Sequence, residues 1–208
     1  MGTLGRFATK AQILAAVTKD GLALRTVQEE AFRNDKQVCL VAVAQCGAAL
    51  EFASGALRGD ADLVRVAVGL DGMALVHATA SIRADKDVVL VAVAQNGHAL
   101  QYASEALRAD VAVVLAAVTQ DGDAFKFASY VLWRDKALVL AAVAKSGSAL
   151  VHASEALRAD REVVLAAVGN DGHALCYATA FQNDTHVVLR AAIQNFVALQ
   201  HAPMVRLL

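Results

Sequence analysis

A single proline, Pro203, stands in 208 residues, so no proline-rich linker divides the chain. The three cysteines are an odd number without a recurring spacing. They exclude a disulfide framework and a cysteine zinc site, and make a reducing intracellular compartment the default. Charge of either sign is missing in excess: 19 Lys and Arg face 20 Asp and Glu, for a net charge of −1. The basic surface with which nucleic-acid binders neutralise phosphates is therefore absent, and no nucleic acid is expected as a partner. Mean hydropathy is high at +0.46, yet apolar runs such as Val88 to Ala94 fall far short of the roughly 18 to 20 residues that span a bilayer. No transmembrane segment is expected, which leaves peripheral contact with a membrane complex open. The first ten residues hold no apolar signal core, and Arg6 sits where a myristoylation motif takes Ser or Thr. Motifs of catalysis are also lacking: no phosphate-binding loop with Lys-Ser/Thr, no HExxH, no GxSxG, and no acidic cluster at metal-binding spacing. The expectation is a protein that is not an enzyme and carries no cofactor or metal.

What the chain does have is a period. Asp35, Asp60, Asp85, Asp110, Asp135, Asp160 and Asp184 follow one another at 25 residues, with the last interval shortened to 24. A period of this size marks a repeat protein, in which each unit buries its apolar face against its neighbours. In the unit DKDVVLVAVAQNGHALQYASEALRA, Asp85 suits a helix N-cap, and Gly97 closes the apolar run as the left-handed residue that ends many helices would. The other units carry Gly21, Gly47, Gly72, Gly122, Gly147 and Gly172 at this place. Beyond it, Leu100, Ala103 and Leu107 fall on one face of a second helix. VVLVAV could also form a buried parallel strand of an α/β horseshoe. The Ala-Ala pairs at 116–117, 141–142 and 166–167, and the absence of an Asn or Cys ladder, favour helix. Thr9 takes the cap place of a first unit, giving units from about 9, 35, 60, 85, 110, 135, 160 and 184. The expectation is one all-α domain over residues 1–208, a right-handed αα-solenoid of about eight helical hairpins.

The string from Leu157 to Thr179, LRADREVVLAAVGNDGHALCYAT, and its variants at Ile82 and Leu107 resemble a family of short tandem repeats known only as a domain of unknown function, found in large repetitive proteins of unicellular eukaryotes and algae. The resemblance implies a helical repeat and, by analogy, a role in assembly; it brings no catalytic residues. It also suggests an organellar setting such as the plastid. Departures are local. Arg65 replaces a Leu, Trp133 an Arg, and the last unit puts Phe196 or Val197 where the Gly should be.

Several columns could carry function. His77, His152 and His201 share one with Thr26, Phe52, Tyr102, Phe127 and Tyr177, which reads as packing rather than metal binding because units three apart are too distant to share an ion. His98 and His173, 75 residues apart, read as the record of a duplicated three-unit block or of a superhelix that repeats every three units; His186 reads as a solvated first-turn residue. Cys39 stands in a valine column and reads as core. Arg33, Arg58, Arg83, Arg108 and Arg158 precede the aspartates by two, and read as an ion-pair ladder with those aspartates and with Glu105 and Glu155. Around Asp135 that pattern fails: Tyr130 and Trp133 replace Glu and Arg near Lys126, and Val111 replaces a charged residue. Tyr and Trp favour binding hot spots, so Tyr130, Trp133, Lys126 and Val111 are candidate protein-partner contacts, with the apolar ends Leu4, Phe7, Met204, Leu207 and Leu208 behind them. The expected function is a non-catalytic scaffold or accessory subunit of a larger assembly. The alternatives are a module holding a peptide or an apolar small molecule such as a lipid or pigment, and an enzyme built on a pair such as His152 and Ser154.

Overall fold

Each periodic aspartate opens a helix of ten residues. In the computed structural model, which describes residues 9–202, Asp35 Oδ1 accepts from the N–H groups of Gln37 and Val38, and Asp85, Asp110, Asp160 and Asp184 cap their helices in the same way. Thr9 forms a full capping box with Gln12. The chain divides into two compact halves, Met1–Leu107 and Arg108–Leu208. The first holds the ten-residue helices Lys10–Lys19, Lys36–Gln45, Ala61–Leu70 and Lys86–Gln95; the second holds Val111–Gln120, Lys136–Lys145, Arg161–Asn170 and Thr185–Gln194. No strand occurs among the described residues, which rules out the horseshoe. Each half is an all-α stack of solenoid repeats.

The core lies between successive ten-residue helices. Each interior helix buries a block of four such as Val88, Val89, Ala92 and Val93, all fully inaccessible, while the neighbours Leu90 and Val91 are half-buried. Small side chains on two adjoining faces let helices pack closely on both sides, as the nearly all-round apolar pattern suggests. Cys39 belongs to this layer: it is fully buried, donates to the Arg33 carbonyl at 3.3 Å, and its thiol is pushed up to about 11 by burial.

The second arm of each hairpin is not one helix. It is a six-residue 3-10 helix, for example Gly97–Tyr102 or Gly147–His152, then an extended residue (Ala103, φ −64°, ψ 156°) and a short turn of helix such as Glu155–Arg158. Leu100, Ala103 and Leu107 are nevertheless all buried. The break has a cause outside the repeat. Ser54 N–H donates to the Arg33 carbonyl of the preceding repeat at 2.8 Å, and Thr79 to Arg58 and Ser104 to Arg83 do likewise in the first half. In the second half, Ser129 donates to Arg108 and Ser154 to Trp133. A continuous helix would bind these N–H groups internally, so the inter-repeat bond and the helix exclude each other.

The glycines, too, work between repeats. No glycine among the described residues has positive φ, so none is a left-handed helix end. Gly21, Gly47, Gly72, Gly122, Gly147 and Gly172 instead each begin a 3-10 helix, against the next repeat. A Cβ built on Gly21, Gly47 or Gly72 would lie 2.3, 2.5 or 2.4 Å from the carbonyl oxygen of Ala42, Ala67 or Ala92; on Gly122, Gly147 or Gly172 it would lie 2.7, 2.5 or 2.3 Å from that of Ala142, Ala167 or Ala191. Only a residue without Cβ allows this approach. Residues just before the glycines form a second cap column, in which Asp20, Asp71, Asn96, Asp121 and Asp171 accept from the N–H two residues on, as Asn195 does before Phe196.

Candidate interaction surface

The cap aspartates have a second task. In four of the ten-residue helices the first residue is a cation that reaches the cap of the following repeat: Lys10 to Asp35 at 2.6 Å and Lys36 to Asp60 at 2.7 Å in the first half, Lys136 to Asp160 at 2.8 Å and Arg161 to Asp184 in the second. The cationic partner is the leading cause that holds the Asp35, Asp60, Asp160 and Asp184 carboxyls below the ordinary carboxylate value, with the backbone N–H bonds adding to it. This is the ion ladder of the molecule, and it replaces the one expected of the arginine column. No ion pair among the described residues uses Arg33, Arg58, Arg83, Arg108 or Arg158. Arg33 Nε instead donates to the Phe52 carbonyl of the next repeat at 2.8 Å, and the Nε atoms of Arg58, Arg83 and Arg108 are buried without a partner.

The sequence candidates separate in space. Trp133 follows its column inward. Its ring centroid is 5.9 Å from that of His152, its indole N–H is buried without a partner, and its carbonyl holds Ser154 as the arginine carbonyls hold their serines. Lys126 joins this group: it lies 4.9 Å over the Phe127 ring and is close enough to His152 to depress the imidazole, whose downward shift comes first from burial and is opposed by Asp123. Tyr130 points outward, 71% exposed, with Val131 at 53%. Val111 is also exposed, at the place where a cation would pair with Asp135. The structure therefore brings Lys126 and Trp133 together at His152 and leaves Tyr130 and Val111 as solvent-facing groups. Met204, Leu207, Leu208, Leu4 and Phe7 lie outside the described residues.

The histidines fall in with this packing. His173 and His201 meet edge to face at 5.0 Å in the last two repeats, and His186 is exposed beside its cap. Among the described residues no three His, Cys, Asp or Glu side chains gather in a way that could hold a metal. His152 and Ser154 make no hydrogen bond to each other; the Ser154 hydroxyl accepts from the Leu157 N–H at 3.4 Å.

A surface the repeat motif hides is the row of 3-10 helices. The first and fourth residues after each glycine point away from the core and change from repeat to repeat: Leu22 and Arg25, Ala48 and Glu51, Met73 and Val76, His98 and Gln101 in the first half; Asp123 and Lys126, Ser148 and Val151, His173 and Cys176 in the second. Ser146 and Ser148 both donate to Asp123 there, at 2.6 and 2.9 Å. The signal was available in the sequence, as the columns that vary while Asp, Gly, Ala and Leu recur. At the end of the second half, Leu189, Ile193, Phe196 and Val197 are all more than half exposed.

No helix among the described residues is long and apolar enough to cross a membrane. Comparison with curated proteins and with solved structures finds no match. The sequence model of one family matches six overlapping stretches, residues 12–58, 60–108, 85–133, 110–158, 135–180 and 160–207, each close to two periods long. These stretches take in almost every described residue, and the chain belongs to the family described as Domain of unknown function (DUF4116).

Proposed function

We propose that the chain is a non-catalytic scaffold or accessory subunit that makes protein–protein contacts in a larger assembly. The observation that carries this reading is the division of labour within the repeat. Asp, Gly, Ala, Leu and Val recur where repeats meet, whereas the exposed or half-buried outer columns of the 3-10 helices differ in size, charge and polarity at each step. A repeat array of this kind keeps a constant frame and varies the surface it offers to a partner. The exposed Tyr130 and Val131, with Lys126, give the second half an aromatic and basic feature of the composition that binding hot spots favour. An organellar complex, such as one of a plastid in an alga or another unicellular eukaryote, is the setting we propose from the family resemblance.

The test is a cross-linking and co-purification experiment on the full chain in its native cells, repeated with Tyr130→Ala/Lys126→Ala and with Arg25→Ala/Glu51→Ala. A scaffold loses defined partners with one of these pairs while its circular dichroism is unchanged. A chain that travels alone in every case is not a scaffold. Trp133→Ala is a poorer probe, because Trp133 packs on His152 and its loss disturbs the stack.

A further inference from the structure

The repeat that ends at Asp184 is the one shortened by a residue, and the loss can be placed. Ala153 to Asp160 spans seven steps, whereas Ala178 to Asp184 spans six, so the missing residue belongs to the short turn after the 3-10 helix. The backbone registers this at Ala178, which takes φ −102° and ψ 60° where Ala153 takes −63° and 150°. Consequently Thr179 does not reach the Arg158 carbonyl. That bond joins Ser129 to Arg108 and Ser154 to Trp133 in the same half, at 2.8 and 2.9 Å.

Beside Ala178 lies a solvent-open cleft of about 300 Å³, lined by Glu155, Arg158, Cys176, Tyr177 and Thr179, of which Glu155 and Thr179 are exposed. This is at the lower end of the range for small-molecule sites. Glu155 and Arg158 are three residues apart on one short helix, yet they form no ion pair with each other or with any other described residue. Two opposite charges thus line one small space unneutralised. A guest carrying both charges pairs with each of them, whereas a guest carrying a single charge gains only one such pair.

We propose that this cleft binds a small zwitterion of amino-acid size. Arg158 takes the carboxylate and Glu155 the ammonium, the Arg158 carbonyl and Thr179 N–H take the remaining polar groups, and the Tyr177 ring forms a wall. The site touches the surface proposed above at Cys176, but it is tested on the purified chain alone, so either reading can fail without the other.

The experiment is a titration of the full chain, followed by calorimetry and by NMR, with each of the common amino acids, and with acetate and methylammonium as single-charge controls. At least one amino acid binds saturably below about 10 mM and both controls fail to. Arg158→Gln and Glu155→Gln each weaken binding by about tenfold or more. Insertion of one alanine between Ala180 and Phe181 restores the 25-residue interval, closes the cleft and abolishes binding. Should the insertion disturb folding, the exposed Glu155→Gln carries the test. The proposal is overturned if no amino acid binds saturably, if acetate binds as well as an amino acid, or if Glu155→Gln leaves affinity unchanged.

Discussion

Gly172 and Phe196 hold the same place in two successive repeats, and they differ by the bulk of a benzyl group. Both begin a six-residue 3-10 helix, and the residues before them are alike: Asp171 at φ −138°, ψ 111° and Asn195 at φ −149°, ψ 111°. A Cβ on Gly172 would lie 2.3 Å from the Ala191 carbonyl oxygen, whereas the Phe196 side chain is 77% exposed. The backbone at this position accepts any residue. It is the following repeat that demands glycine, and among the described residues none follows Phe196.

That contrast sets the largest expected effect. Gly147→Ala drives a methyl group to 2.5 Å from the Ala167 carbonyl oxygen, where backbone and not a pliable side chain must move. It should cost about 3 kcal/mol in a urea melt, while Phe196→Ala changes stability by no more than about 0.5 kcal/mol. Equal effects at the two sites would show that the glycine serves its own turn after all.

The same contrast explains what was legible in the sequence. The aspartate period exposed the ten-residue helices, their caps and the core residues, because capping and helical burial are local properties of the repeat. The glycines were visible but their reason was not, since a left-handed helix end and a close approach by a neighbour leave the same letter in the sequence. The second arm was misread as one helix for a related reason. Leu100, Ala103 and Leu107 fit a helical face, and the competitor that breaks it, the Ser104 bond to the Arg83 carbonyl, comes from another repeat. Of the candidate surface, Tyr130 and Val111 were found as exposed groups. Trp133 was found for its rarity, but its indole follows the arginine column onto His152, a direction no sequence position announces.

A second pair of equivalent positions sharpens the comparison at lower amplitude. Asp160 caps its helix and is bonded to Lys136, whereas Asp135 caps its helix with Val111 in place of the cation. Replacing either aspartate by alanine should cost about 1 kcal/mol for the cap. Only Asp160→Ala should show coupling to a second change at the preceding repeat, Lys136→Met, in a double-mutant cycle; Asp135→Ala with Val111→Ala should be additive.

Acid should reveal those pairs next. The Asp35, Asp60, Asp160 and Asp184 carboxyls are held below their ordinary value in the folded chain, so the folded state binds these protons less readily than the unfolded one. Their contribution is complete above about pH 4 and is lost as pH falls through the depressed folded values. Denaturant melts between pH 6 and pH 2 should show stability falling below about pH 4. Lys136→Met should flatten that fall, because it removes the main cause of the Asp160 shift. An unchanged acid profile in Lys136→Met would detach the pair from stability.

The smallest effect is a gain. Val111 occupies the position from which Lys10, Lys36 and Lys136 reach the next cap, and it lies 48% exposed, so a lysine there meets no packing obstacle. Val111→Lys should complete the link to Asp135 and raise the melting temperature by about 1 °C at low salt, with the gain disappearing near 1 M salt as screening removes it. The substitution also removes an exposed apolar side chain from the surface around the Asp135 repeat. If Val111 belongs to a partner contact, the more stable variant binds its partner less well. The opposite signs of those two changes separate a valine retained for contact from one that merely drifted into the ladder, since drift predicts the thermal gain and no loss of binding.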